Sequence, residues 1–414
     1  MPVLLQAHPR AVHSLVVTHA GGMIAAASDN DPTTVATLAV VGASTGYRLA
    51  WLVLLLLPML VAVQVLSTRL GLITGQNLAQ LIRGHLGVGW GWLGASLVLA
   101  VNLFTIGADL EGGAAALSLF TGWDWQWFVL PLATSVGLLL LMGTYRHVTR
   151  MLSYVMLVFL AYVAATFLAS PDWTDVLRHT LEPSFDWSAD DLTAALSLLG
   201  TTLTSYVFIW QTVQEAEQRR PLRLLAAAER QAAAGIAGAS VLFWFILVGT
   251  GATLRPTGRT VETAQDAAQA LAPVAGPLAA ELFGIGLLAS AVLALAVLAA
   301  TSGYVVTAML KTKGSLDTPV SAATWMFYAV VLGMLIVGAC LTSLGIEPIR
   351  LLFLAGIAGG LGTPVLLIML LRLATSPRVV GPRRPSPALM LVAWAAATVI
   401  CAADIAYLVW PALG

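Results

Sequence analysis

The chain has 414 residues, of which 59% are apolar and only 10% charged, and its formal net charge is zero. A water-soluble domain carries roughly a quarter charged residues, so this composition excludes a surface that faces water throughout, and the charge balance excludes bulk attraction to nucleic acid. Apolar runs of about twenty residues recur without the alternation a membrane barrel needs, which leaves an all-helical membrane protein.

The first twenty residues hold His8, Arg10, His13 and His19 but no apolar core of signal-peptide kind, so the chain is expected to start in the cytoplasm. Apolar runs read against breakers predict eleven spans: 20–45, 49–72, 89–119, 125–143, 150–169, 190–214, 231–254, 277–310, 319–344, 349–373 and 387–411. Short amphipathic stretches at 76–85 and 262–272 are expected to lie along the surface. No linker separates soluble domains, so residues 1–414 form a single membrane domain.

The first span contains Ser28-Asp29-Asn30-Asp31-Pro32-Thr33-Thr34 near its middle. Asp, Asn and Thr compete for backbone hydrogen bonds, and Pro32 disfavours helix at Asp31, so the helix is expected to break there. A break exposes carbonyl oxygens, and beside the carboxylates Asp29 and Asp31 these make a hard-oxygen cation site at mid-membrane depth. A proline kink capped by local side chains is the structural alternative, but carboxylates deep in lipid are costly and usually functional. The third span adds Asp109 and Glu111 at similar depth.

Between spans five and six lie Asp172, Asp175, Glu182, Asp186, Asp190 and Asp191, which read first as a solvated loop and second as a cation-attracting field. Span six then carries Gly200-Thr201-Thr202-Leu203-Thr204-Ser205-Tyr206 in an otherwise apolar run. Hydroxyls in spans often only join helices. A second polar interruption five spans after the first is instead the pattern of two inverted five-helix repeats with the site between broken helices. The repeats run over about 20–169 and 190–373, with 387–411 as an extra helix.

The remaining polar residues are structural by expectation. Glu281 reaches the interface, Asp404 forms a hydrogen bond in the last span, and Cys340 and Cys401 are small buried side chains. With the start of the chain inside, fifteen Lys and Arg fall on the cytoplasmic side against five outside, namely Arg48, Arg178, Arg255, Arg259 and Arg350. That orientation leaves Gly414 outside and the protein in the cell (inner) membrane.

The stretch from His19 to Arg83, with Asp31-Pro32, Tyr47, Gln64, Arg69-Leu70-Gly71 and Gly75, resembles the first two spans of Nramp divalent metal transporters. Span six and Leu282-Phe283 continue the likeness over most of the chain. The sequence leaves the oligomeric state open, a monomer being compatible with it. The resemblance implies a LeuT-type fold with broken helices one and six, a divalent metal ion as transported substrate and no bound cofactor. It places the metal at Asp31, Thr34, Thr201 and Thr204, with Asp29, Tyr206, Asp109, Glu111, Gly356 and Gly362 along the pocket or permeation path.

Departures from the family pattern qualify the ion. The family reads DPGN where this chain reads DPTT, so Thr34 stands at the asparagine. Thr204, Ser205 and Tyr206 replace a methionine-proline-histidine run. Gly356 and Gly362 stand where glutamines are expected. Loss of the thioether disfavours softer ions, and a wider oxygen-lined pocket suits magnesium held with much of its water. The pattern resembles the Nramp-related magnesium branch, with Mn2+ also accepted. In span three the family's Asp-Leu-Ala-Glu is Asp109-Leu110-Glu111-Gly112, which turns the second acid about 100° around the helix and towards the pocket. With a tyrosine, neutral at working pH, at the histidine position, obligatory proton coupling is not expected.

The alternative is a proton-coupled Mn2+/Fe2+ importer of the ordinary Nramp type. A further alternative, a LeuT-type carrier of an organic substrate such as an amino acid, expects no acid at the centre and is opposed by Asp31. A membrane enzyme is opposed by the histidines, which all fall near span ends or in loops.

Overall fold

The computed structural model describes residues 31–142, 160–258 and 261–409. Asp29, the first span up to residue 30 and the start of the fifth up to residue 159 therefore lie outside the described residues. The principal helices are α1 (Pro32–Thr45), α2 (Ala50–Thr74), α3 (Val88–Thr121), α4 (Gln126–Leu141), α5 (Leu160–Leu168), α6 (Trp173–Leu181), α7 (Ala189–Thr202) and α8 (Ser205–Gln218). They continue as α9 (Leu225–Thr253), α10 (Ala279–Leu310), α11 (Trp325–Leu341), α12 (Pro348–Thr375) and α13 (Pro387–Val409).

Seven of the described helical stretches are long and apolar enough to cross a membrane, α7 and α8 together forming one of them; α4 and α11 are apolar but shorter. Interior prolines Pro58, Pro131 and Pro364 stay within their helices, because neighbouring helices re-satisfy the freed backbone groups at membrane depth. The stretch 319–344 predicted for one span begins later than expected, since residues up to Thr324 form hydrogen-bonded turns before α11.

Helix α1 starts where the sequence predicts a break. Asp31 is extended (φ −69°, ψ 165°) and acts as the N-cap, while Pro32 occupies the first helical position, where its fixed φ and missing N–H cost nothing. The span formed by α7 and α8 is interrupted at Leu203 and Thr204, which leave helical geometry at ψ 37° and 142°. The start of α1 and the interruption at Leu203 and Thr204 lie five spans apart by the sequence's count, as an inverted repeat requires.

Helix α1 is enclosed by α9, α12 and α7, and α3 runs along α10 and α12. Glycine lets these backbones meet. A methyl group on Gly200 of α7 would overlap the carbonyl of Gly356 and the backbone of Gly360 in α12, and one on Gly42 of α1 would overlap Leu247 and Thr250 of α9. Close approach of this kind replaces the hydrophobic effect as the source of helix cohesion in lipid.

The acidic segment after α5 is folded, not merely solvated. Asp172 caps α6 by accepting from the amides of Thr174 and Asp175, and Val176 and Thr180 are buried. Arg48, in the turn between α1 and α2, pairs with Asp186 and at 2.7 Å with Asp191. Those carboxylates tie the end of α1 to the start of α7. On α13, Asp404 is buried, and its Oδ1 has no hydrogen-bond partner among the described residues.

Candidate functional site

The break residues converge. Asp31 Oδ1 accepts from the Thr34 amide at 2.7 Å, and Asp31 Oδ2 accepts from the Tyr206 hydroxyl at 2.8 Å. The Thr34 hydroxyl lies 3.0 Å from that of Thr201 and 3.4 Å from the Thr201 carbonyl oxygen. Thr33, adjacent in the chain, donates to Asp109 Oδ1 of α3 at 2.9 Å. Four helices, α1, α3, α7 and α8, thus meet at one polar centre in an apolar surround.

Burial is close to complete. Asp31 is 2% exposed, Asp109 and Thr34 0%, Thr201 3% and Tyr206 1%. An isolated carboxylate at such a place is costly, and hydrogen bonds recover only part of that cost. Asp109 Oδ2 and the hydroxyls of Thr37, Ser205 and Thr363 have no hydrogen-bond partner among the described residues. The unpaired carboxylate oxygen of Asp109 is an acceptor that a cation could satisfy. The last carbonyls of α7 have no intrahelical partner and add oxygen donors at the break. Among the described residues no group of three or more His, Cys, Asp or Glu side chains forms a metal cluster. A cation here would be held by few charges together with hydroxyl, carbonyl and water oxygens.

Asp31, Thr34, Thr201 and Tyr206 form this centre, with Asp109 joined through Thr33. Thr204 sits differently. It caps α8 without a side-chain bond and lines a small cleft with Gln64 of α2 and Val207 of α8. The expectation that Gly356 and Gly362 widen the pocket is corrected. A side chain on Gly356 would meet Ser197 and Thr37, and one on Gly362 would meet Val101, so the space is already filled by helix crossings. Glu111, two residues after Asp109, is buried, and no hydrogen bond among the described residues joins it to the Asp31 centre.

A second polar group extends from the break along α8. Gln211 accepts from Gln64 Nε2 at 3.2 Å and donates to Thr68 at 2.9 Å and to Glu215 at 3.3 Å. Glu215 is buried and 3.8 Å from Arg220. Sequence reading passed over this track, although polar residues at Gln211 and Glu215, one turn apart in an apolar span, signal it.

The sequence profile described as Natural resistance-associated macrophage protein-like (Nramp) matches residues 22–410. The chain is 28% identical over 433 aligned positions to the divalent metal cation transporter MntH of Deinococcus radiodurans, covering 99% of this chain and 93% of that protein. Its fold is similar to that of a variant of the Eremococcus coleocola manganese transporter, with a TM-score of 0.77 and 18% identity over 98% of this chain and 88% of the other. It is also similar to MhsT, crystallised with L-phenylalanine, with a TM-score of 0.64 and 14% identity over 94% of this chain and 97% of the other. The fold is the LeuT-type arrangement of inverted repeats with interrupted helices.

Proposed function

The chain belongs to the Nramp family, and from that premise we propose that it carries a divalent metal ion across the membrane, held beside Asp31 by oxygen donors alone. One observation carries this reading. A buried carboxylate stands at the junction of two helix breaks, bonded by the Thr34 amide and the Tyr206 hydroxyl, and one negative charge there offsets part of an ion's dehydration. The charge at the centre also opposes an organic carrier that would bind a carboxylate at the helix ends.

The ion is a finer matter. The relatives named above are a divalent metal cation transporter and a manganese transporter, and that likeness favours Mn2+ over Mg2+. The donor set favours hard ions as a class, because the Asp31 carboxylate is grouped with hydroxyl and amide partners among the described residues. Mn2+ satisfies both considerations. Mg2+ is a second cargo supported by the donors alone, and the filled positions at Gly356 and Gly362 weaken the case for a wide, water-holding pocket.

We infer that the start of the chain lies inside the cell, from the excess of Lys and Arg on that side. We infer also that proton movement is not obligatory, because Tyr206 stands where the family has histidine. The inside-negative potential, at roughly 4.6 kcal/mol per 100 mV for a divalent ion, suffices to drive uptake. Proton-coupled Mn2+ import is the reading that the relatives favour. Uptake of Mn2+ and Mg2+ into proteoliposomes at clamped potential, with a trapped pH dye, separates the two. Uptake without acidification supports the present reading; acidification that tracks Mn2+ overturns it in favour of proton coupling; no uptake of either ion rejects metal transport.

A further inference from the structure

The connection between α12 and α13 is short, folded and basic. Helix α12 ends at Thr375 and α13 begins at Pro387, so the residues between them lie where two spans leave the bilayer. A single helical turn, Pro377–Val380, occupies the middle of this stretch. The Ser376 carbonyl accepts from the amides of Val379 and Val380, that of Pro377 from Gly381, and that of Val380 from Arg383, at 3.0–3.1 Å. Val379 and Val380 are buried, and the turn packs on α12 and α2. Gly381, at φ +58°, reverses the chain at a conformation that costs glycine little. These consecutive turns hold Arg378, Arg383 and Arg384 on one knuckle, and Arg372 stands in the last turn of α12, which leads into it.

All four arginines are exposed. None uses its side chain in a hydrogen bond or ion pair among the described residues. The chain has no acidic residue between Glu347 and Asp404. Asp404 lies ~25 Å along α13 from its start, at 1.5 Å per residue. Helix α2 has no acid either, and its one charged residue, Arg69, is already paired with Glu229 at 2.6 Å. Four cations therefore stand at the bilayer surface without a counter-charge from the helices that carry them. The bias of Lys and Arg towards one side of a membrane places them there but leaves their charge unbalanced.

Guanidinium groups take phosphate oxygens in paired hydrogen bonds, and four or more basic residues beside a span are the pattern of an anionic lipid contact. The apolar half of such a ligand is also provided for. Leu391 and Trp394, one turn apart on the same face early in α13, are exposed, and on a membrane span exposed side chains of this kind meet acyl chains. A soluble phosphate would use the arginines alone.

We propose that the α12–α13 connection is a binding surface for an anionic phospholipid, with Arg372, Arg378, Arg383 and Arg384 at the phosphate headgroup and Leu391 and Trp394 against the acyl chain. The lipid holds the C-terminal helix to the bilayer, and its binding stands whatever ion the protein carries.

The test uses the full-length protein in neutral detergent with phosphatidylglycerol, phosphatidylcholine or inorganic phosphate added. Retained lipid is read by native mass spectrometry and stability by melting temperature. Phosphatidylglycerol should be retained and raise the melting temperature, and phosphatidylcholine should do neither. Arg378→Gln or Arg384→Gln should each weaken retention about fivefold, and replacement of all four arginines by Gln more than about tenfold. In detergent alone these variants should melt no lower than the natural chain, because the side chains bond nothing among the described residues; lost retention is then not lost folding. Removing three exposed arginines elsewhere, Arg219→Gln with Arg223→Gln and Arg230→Gln, should leave retention unchanged. Equal retention of phosphatidylcholine, or undiminished retention by the fourfold variant, would refute the surface. An equal loss in the Arg219, Arg223 and Arg230 variant would refute it too, by showing that only bulk charge matters. Equal stabilisation by inorganic phosphate would put a free anion in place of the lipid and overturn the proposal.

Discussion

Tyr206 donates its hydroxyl hydrogen to Asp31 across 2.8 Å, joining the N-cap of α1 to the first turn of α8. A hydrogen bond to a charged group contributes about 1.5–3 kcal/mol. An ion arriving at Asp31 must therefore compete with Tyr206 for one oxygen, so cargo binding and the contact between α1 and α8 are opposed.

Removing the carboxylate removes the charge without disturbing apolar packing. Asp31→Ala should abolish metal uptake in proteoliposomes while the protein still expresses and folds, its melting temperature lowered by loss of the α1 cap, worth about 0.5–2 kcal/mol. Uptake at the natural rate would remove Asp31 from the ion site.

Replacing the phenol with a group that titrates near neutral pH should create coupling where none is expected. In Tyr206→His the imidazole, with an ordinary pKa of about 6.5, can release its proton when the ion binds the adjacent acid. Mn2+ uptake by this variant should carry acidification into dye-loaded liposomes. An unchanged dye signal in both proteins would mean that position 206 does not govern proton movement.

Selectivity should respond to one soft donor. Thr34 lies within the Asp31 group, so Thr34→Cys should raise the competition of Cd2+ against Mn2+ by roughly tenfold through thiolate binding. The same substitution at Thr204, which lines the neighbouring cleft, should change that ratio less.

The glycine crossing of α7 and α12 makes a prediction about packing alone. Gly200→Ala forces apart backbones already in contact, and overpacking of this kind costs about 1–3 kcal/mol. Gly238→Ala on α9, with open space around it, should be neutral or stabilising by up to ~1 kcal/mol. Melting temperatures of the two variants should move in opposite directions.

Arg48 is the partner of a nearly buried acid, since Asp191 is 1% exposed. Arg48→Ala strands that charge and should cost about 3 kcal/mol. Asp191→Asn in the same chain should restore much of the loss, measured as thermal stability.

The membrane architecture was legible because a span announces itself through twenty apolar residues, and the first interruption because Asp31-Pro32 cannot continue a helix. The pairing of Asp31 with Tyr206 was legible only as two polar stretches in equivalent spans. Which atoms meet over 175 positions depends on helix rotation, which an apolar-all-round helix does not encode. Gly356 and Gly362 were misread for a related reason: a missing side chain equally well opens a pocket or admits a neighbouring backbone. Helix α6 escaped notice because nine residues rich in charge do not resemble a span, and the grip of Arg48 on Asp186 and Asp191 has no local signature at all.

Asp404 has a bearing on how the chain is made. Its carboxylate is buried in the last two turns of α13, a helix packed against α12, α7 and α2, and an acid within an inserting helix is costly. That helix follows α2, α7 and α12 along the chain, so the neighbours that shelter the acid precede it into the bilayer. Insertion can thus be completed by docking onto helices already in place instead of by apolarity alone. A chain whose α12 or α7 is badly folded would then present α13 with lipid in place of protein, and insertion of α13 would report on the packing of the helices before it.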